Sequence, residues 1–225
     1  EVVRECENGE RGYPKALWEQ LVGLGLVGIL IPEEFGGQGQ TLLEATIVYE
    51  EFGRSLAPVP HFHSAVLSAG ALAIAGSDAQ KKAWLPGIAS GERILTPAWL
   101  EPRNGFGPKG VQLRAEPDGD GFMLSGTKMH VNFARVADRL VVLARTGDGL
   151  EEVDLFLVDP EASGVTLSQR LNLGSETTFR VDFEGVRVSE ADRIGGAGSG
   201  WKTWNTVMLD GVVLAAAQAA GGAKA

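Results

Sequence analysis

The sequence predicts an α+β multidomain chain: an N-terminal helical bundle (residues 1–92), a middle β-barrel (93–195) and the start of a C-terminal helical domain (196–225). Three observations predict it. Apolar residues recur at spacings of three and four up to about residue 90. Beyond Gly91 they fall into short alternating runs divided by turn signals. A glycine-rich link, "GGAGSG" (195–200), then hands over to a final helical pattern.

Taken in order, Pro14 suits the first turn of a helix running "KALWEQLVGLGL", in which Leu17, Leu21 and Leu24 share a face. "IPEEFGGQGQ" (31–40) breaks that pattern with Pro32, Gly36, Gly37 and Gly39. A second helix is expected from Thr41, which forms a capping box with Glu44, and Leu43, Ile47 and Phe52 carry it to Gly53. "FHSAVLSAGALAIAG" (62–76) is apolar almost all round, which in a helix means burial on most sides. Ser77 with Gln80 is another capping box and opens "DAQKKAWLPGIASG", with Lys81 and Lys82 on a solvated face.

The β-rich runs are "VQLRA" (111–115), "GFMLSGTKMHV" (121–131), "RLVVLART" (139–146), "VDLFLVD" (153–159), "GVTLSQ" (164–169) and "TTFRVDFEGVRV" (177–188). In the last, Phe179, Val181 and Phe183 alternate with Arg180, Asp182 and Glu184. The turn signals "PDGDG", "TGDG", "DPEASG" and "NLGS" space them evenly, as in a closed barrel or a sandwich. Past the glycine link, Trp204, Val207 and Met208 stand at helical spacings, and Trp201 and Trp204 read as core residues of that helix.

A net charge of −9 with no Lys/Arg-rich block argues against nucleic acid as a partner, while leaving room for a local basic pocket. Cys6 is the single cysteine, so no intrachain disulfide can form, which fits a cytoplasmic location. "EVVRECENGERG" is too charged for a secretory leader. The longest apolar stretches, such as "LVGLGLVGILI", are too short for a bilayer, so no membrane is expected. With no initiator Met, and with "LAAAQAAGGAKA" breaking off inside a helical pattern, the sequence is expected to be a piece of a longer chain.

Most catalytic constellations are missing. One cysteine and three histidines (His61, His63, His130) do not build a zinc site, and no ligand spacing for another metal occurs. His61 and His63 flank Phe62 and read as loop residues near a helix start. G-x-S-x-G, a P-loop and a G-x-G-x-x-G between strand and helix are all absent. Glu33–Glu34 and Glu50–Glu51 are adjacent pairs that point about 100° apart on a helix, so each is a solvated face rather than a catalytic pair. Two segments remain: "TPAWLEPRNGFGPKG" (96–110) and "SGTKMHVNFARVADRL" (125–140). Glycines allow close approach to a pyrophosphate, free edge amides suit an anion, and an aromatic or amide side chain on a neighbouring strand suits a flat ring. The first segment reads equally as a turn-rich crossing between domains.

In this order the pieces resemble the acyl-CoA dehydrogenase family over essentially the whole chain. The resemblance is carried by "LWEQLVGLGLVGILIPEEFGGQGQTLLEATIVYEEFGRSLA", "QKKAWLPGIASGE", "LEPRNGFG", "LSGTKMHVNFARVADRLVVLART" and "FEGVRV…IGGAGSGW". It implies a helical domain, a β-barrel and a C-terminal four-helix domain. It also implies α,β-dehydrogenation of an acyl-CoA thioester, with hydride transfer to flavin N5 of FAD and onward transfer to an electron-transfer flavoprotein. Assembly with like or related subunits, as dimer or tetramer, belongs to the same expectation.

The family motif T-E-P-x-x-G-S-D falls on Leu100-Glu101-Pro102-Arg103-Asn104-Gly105-Phe106-Gly107, so Leu100 and Phe106 replace two polar residues that serve the flavin. K-x-W-I-T-N falls on Lys128-Met129-His130-Val131-Asn132-Phe133, with His130 in place of a Trp and Asn132 in place of a Thr. An imidazole can still stack and an Asn amide can still donate or accept. The cofactor-binding positions so implied are Pro97, Trp99, Leu100, Glu101, Gly105, Phe106, His130, Val131 and Asn132, and the substrate-binding positions are Phe106 and Asp210. The family's Asp-x-x-Arg keeps Asp210 but has Val213 for the arginine. The family's catalytic glutamate comes from the C-terminal domain, so no catalytic residue is expected within these residues. With this many departures, the resemblance also admits a flavin-poor, non-catalytic partner subunit of a heteromeric dehydrogenase.

Overall fold

Capping residues mark the helix starts. In the computed structural model, which describes residues 2–102 and 105–225, α1 (Val2–Asn8) precedes α2 (Lys15–Gly23), and extended Pro14 is the N-cap of α2. α2 stops at Gly23 instead of running to Leu26 because Gly25 turns into the left-handed region, φ 71°, where a side chain would strain. α3 (Leu42–Ser55) and α5 (Asp78–Ala89) both start with the expected capping box. In α5 the Gln80 amide donates to the Ser77 hydroxyl at 3.2 Å, while the Ser77 amide donates to Gln80 Oε1 at 3.0 Å.

Between α3 and α5 the expected single helix divides into a π-helical segment, Phe62–Ser68, and α4 (Ala69–Ala75). The Ser68 hydroxyl donates to the His63 carbonyl at 2.8 Å, and the Ser64 hydroxyl accepts the Leu95 amide at 3.1 Å. The wider coil is thus held both to itself and to the first strand.

The strands are β1 (Leu95–Ala98), β2 (Arg114–Asp118), β3 (Gly121–Asn132), β4 (Arg139–Arg145), β5 (Val153–Val158), β6 (Val165–Arg170), β7 (Thr178–Ser189) and β8 (Arg193–Ile194). They form one sheet in the order β6-β7-β3-β2-β4-β5-β8, with β1 pairing parallel to β4. β1 and β8 are absent from the sequence expectation because they are short, and β1 contains Pro97. β2 starts at Arg114 instead of Val111 because that stretch pairs with a side chain: Arg145 donates to the carbonyls of Pro108 (2.6 Å), Val111 (2.8 Å) and Gly149 (2.7 Å).

β4 and β5 are buried on both faces, which is why their sequences read as unbroken apolar runs. Leu140, Val142, Phe156 and Val158 join Phe179, Val181 and Phe183 in the core of the β-domain. Val141, Leu143, Val153, Leu155 and Leu157 face the helical core with Leu72, Leu85 and Trp204. β7 shows the expected alternation, with Phe179, Val181 and Phe183 buried and Glu184 exposed.

α6 (Gly200–Ala223) packs along α3. Two glycines permit the close crossing. A Cβ on Gly53 would overlap the Gln218 carbonyl, and one on Gly221 would overlap the Glu50 carbonyl. Among the described residues α6 is the one helix long and apolar enough to cross a membrane by length and composition, which the 11-residue apolar runs did not suggest. Here it buries Trp204, Val207 and Leu214 against the helical core.

Candidate functional site

The chain leaves β1 at Ala98 and is at once tied back to β3. The Glu101 carboxylate accepts the Lys128 ammonium at 2.6 Å and the backbone amides of Gln112 and Leu113 at 3.0 Å. The pair is withdrawn from water: the Lys128 side chain is 0% exposed and that of Glu101 4%. Burial lowers the Lys128 pKa to about 8, against the opposing pull of the Glu101 charge. The Met129 amide donates to the Leu100 carbonyl at 2.8 Å. Glu101 is therefore turned inward as a clamp on its own loop, and its carboxylate does not face a ligand.

The β3–β7 register shifts between Lys128 and Val131. The bulge puts His130 in the left-handed region, φ 53°, and leaves it exposed, the kind of re-aiming that bulges provide. Val131 drops into the β-domain core, so its side chain is unavailable to a ligand. The Asn132 carbonyl accepts the Thr96 hydroxyl at 2.6 Å, while its half-buried side-chain amide makes no hydrogen bond among the described residues.

Pro97, Trp99, Leu100, His130 and Asn132 come together on one cleft of about 430 Å³, walled also by Phe62, His63 and Met208. Trp99 lies 5.5 Å from the Trp204 ring and 6.0 Å from that of Phe106. Phe106 is 75% exposed. Gly105 and Gly107 have open space where a side chain would stand, whereas a Cβ on Gly110 would overlap the Gly105 carbonyl. Arg103 and Asn104 lie outside the described residues. Asp210 is not part of this cleft. It borders a separate groove of about 260 Å³ with Leu30, Val66, Ala69 and Val207. Among the described residues no group of three or more His, Cys, Asp and Glu is placed to hold a metal ion.

Sequence reasoning missed Phe62, His63 and Met208. The available signal was two histidines opening an otherwise apolar run, "HFHSAVLSAGALAIAG", in which any polar ring needs a reason. His61 has one inside the fold. Its Nε2 sits 2.9 Å from the Leu26 carbonyl, which can only accept, so Nε2 carries the proton and Nδ1 accepts the Tyr49 hydroxyl at 2.9 Å. Burial lowers its pKa to about 4. A histidine with a lowered folded pKa gives stability that is complete above its unfolded value near 6.5 and is lost as pH falls toward 4. We expect His61 alone to withdraw about 2 kcal/mol of unfolding free energy between pH 7 and pH 5. Denaturant titrations at the two pH values measure this, and equal stabilities would contradict it.

Two family profiles match consecutive parts of the chain: acyl-CoA dehydrogenase, N-terminal domain, over residues 1–92, and acyl-CoA dehydrogenase, middle domain, over residues 97–186. The chain belongs to the acyl-CoA dehydrogenase family. Among its curated relatives is acyl-CoA dehydrogenase FadE27 of Mycobacterium tuberculosis, 35% identical over 86% of this chain and 50% of the relative. The human mitochondrial short-chain specific acyl-CoA dehydrogenase is 32% identical over 94% of this chain and 53% of its own length. Of solved structures, the ChsE4–ChsE5 complex of Mycobacterium tuberculosis superposes with a TM-score of 0.83 at 31% identity, over 96% of this chain and 56% of that one. The chain thus spans about half the length of the curated relatives it matches. Members of the acyl-CoA dehydrogenase family are FAD flavoproteins.

Proposed function

We propose that this chain is the helical and β-domain part of an FAD-dependent acyl-CoA dehydrogenase that performs α,β-dehydrogenation of an acyl-CoA thioester. The observation that carries the reading is the cleft where Trp99, Leu100, His130 and Asn132 converge. Its residues fit a flavin. Phe62, Trp99, Leu100 and Met208 offer apolar and aromatic surface for the ring system, and the Asn132 amide has no partner among the described residues. When bound, the flavin supplies the redox chemistry. The chain's own residues wall and orient it: Trp99 and Leu100 on one strand end, His130 and Asn132 on the neighbouring bulge, with Glu101 and Lys128 fixing the loop between them. The unpaired Asn132 amide on the cleft favours the flavin-bearing reading over a flavin-poor subunit. Electron-transfer flavoprotein, related subunits and a cytoplasmic setting complete the proposal. The related subunits draw support from a structural neighbour that is itself a complex of two chains.

The visible spectrum of the intact gene product tests it. A flavin band near stoichiometry is expected. Protein that stays colourless through FAD titration overturns the reading. Leu100→Thr with Phe106→Ser supplies two side-chain hydrogen bonds of about 0.5–1.5 kcal/mol each, so FAD affinity should rise about five-fold or more. An unchanged Kd would mean that this loop does not face the flavin.

A further inference from the structure

Two histidines separated by one residue have opposite fates. Such residues on a helix point about 200° apart. His61 enters the helical core and occupies both ring nitrogens there, with Tyr49 and Leu26. His63 points the other way, into the cleft, and neither of its ring nitrogens has a hydrogen-bond partner among the described residues. Its ring stands edge-on to Phe62 at 5.5 Å and tilted to Phe133 at 5.9 Å. It also lies within the π-helical segment, a distortion that recurs at functional sites.

His63 occupies a junction. A second and larger cleft, about 600 Å³, shares Phe62, His63, Asn132 and Glu176 with the first and continues past Leu56, Val59 and Ala215. Any acyl group that runs from the Trp99 end into this space must pass the His63 imidazole and the Asn132 amide. Burial lowers the His63 pKa to about 4, so the ring is neutral at pH 7, with one donor and one acceptor to offer. Hydrocarbon laid over it would strand both, at about 1–3 kcal/mol for each polar group left unpaired. A neutral oxygen would satisfy one, and no desolvated charge would be needed.

We propose that His63 is a specificity-determining residue that hydrogen-bonds a neutral oxygen, hydroxyl or ketone, on the acyl portion of the thioester, and so selects oxygenated acyl groups over plain hydrocarbon ones. The inference rests on the reading of this cleft as the acyl-CoA site.

Equilibrium binding tests it on the intact gene product with the partner subunits that co-purify. The probes are hexanoyl-, octanoyl- and decanoyl-CoA, each against the thioester with a ketone at its penultimate carbon, followed by intrinsic tryptophan fluorescence. For at least one pair the oxo thioester should bind about five-fold more tightly, the worth of one neutral hydrogen bond. His63→Phe should bring that ratio of dissociation constants close to one, whatever it does to absolute affinity, and His63→Asn should keep part of it. Equal binding within every pair, or a ratio unchanged in His63→Phe, overturns the inference while leaving the thioester site standing. Failure of every thioester to bind overturns the site reading and the inference together.

Discussion

Glu101→Gln should cost about 3–5 kcal/mol of unfolding free energy, the usual penalty for leaving one member of a buried ion pair alone. Lys128 is fully enclosed, and the carboxylate is its charged partner at 2.6 Å. The loss is limited by a property of the lysine itself. Burial already lowers its pKa to about 8, so without the carboxylate it can shed its proton instead of staying charged in a dry site. That gives the variant a signature in pH. A lysine with a lowered folded pKa binds fewer protons folded than unfolded, so stability rises with pH between the two values. The deficit against the parent protein should therefore narrow as pH rises from 7 toward 9. Denaturant titration at both pH values measures it, and a deficit that widens or stays under 1 kcal/mol would refute the clamp. Glu101→Gln with Lys128→Met should recover much of the loss, since neutral residues of similar size replace buried pairs at little cost.

Gly53→Val should cost about 3 kcal/mol or more, because its side chain would occupy the space of the Gln218 carbonyl, and backbone cannot move aside as a side-chain tip can. The expected readout is selective. Amide exchange should accelerate along α6 while the strands keep most of their protection. Gly23→Ala is the control, since nothing stands within 4 Å of its added Cβ, and it should change stability by less than about 1 kcal/mol. Uniform acceleration across the sheet would show that α6 does not separate as a unit.

Local chemistry was legible in the sequence. Thr41 with Glu44 and Ser77 with Gln80 announce helix starts because capping needs two residues at a fixed spacing, and both boxes form. Phe179, Val181 and Phe183 announce a strand because alternation requires no knowledge of the partner. Non-local facts were illegible. Val111 to Leu113 look like a strand, yet Arg145, far along the chain, claims the Val111 carbonyl. Glu101 looks like a ligand-facing group until Lys128 arrives from β3. Asp210 fits a motif spacing but belongs to another groove, since one residue on a helix turns a side chain by about 100°. His63 read as a loop residue because nothing in the sequence announces a π-helical turn.

β4 and β5 make a party wall. Leu140 and Val142 belong to one room and Val141 and Leu143 to the other, and the same backbone carries both. The border between the two family profiles, after residue 92 and before residue 97, is therefore one that the energetics do not respect. Cutting there would strip the far side of the wall, and neither tenant could leave without opening the other to water.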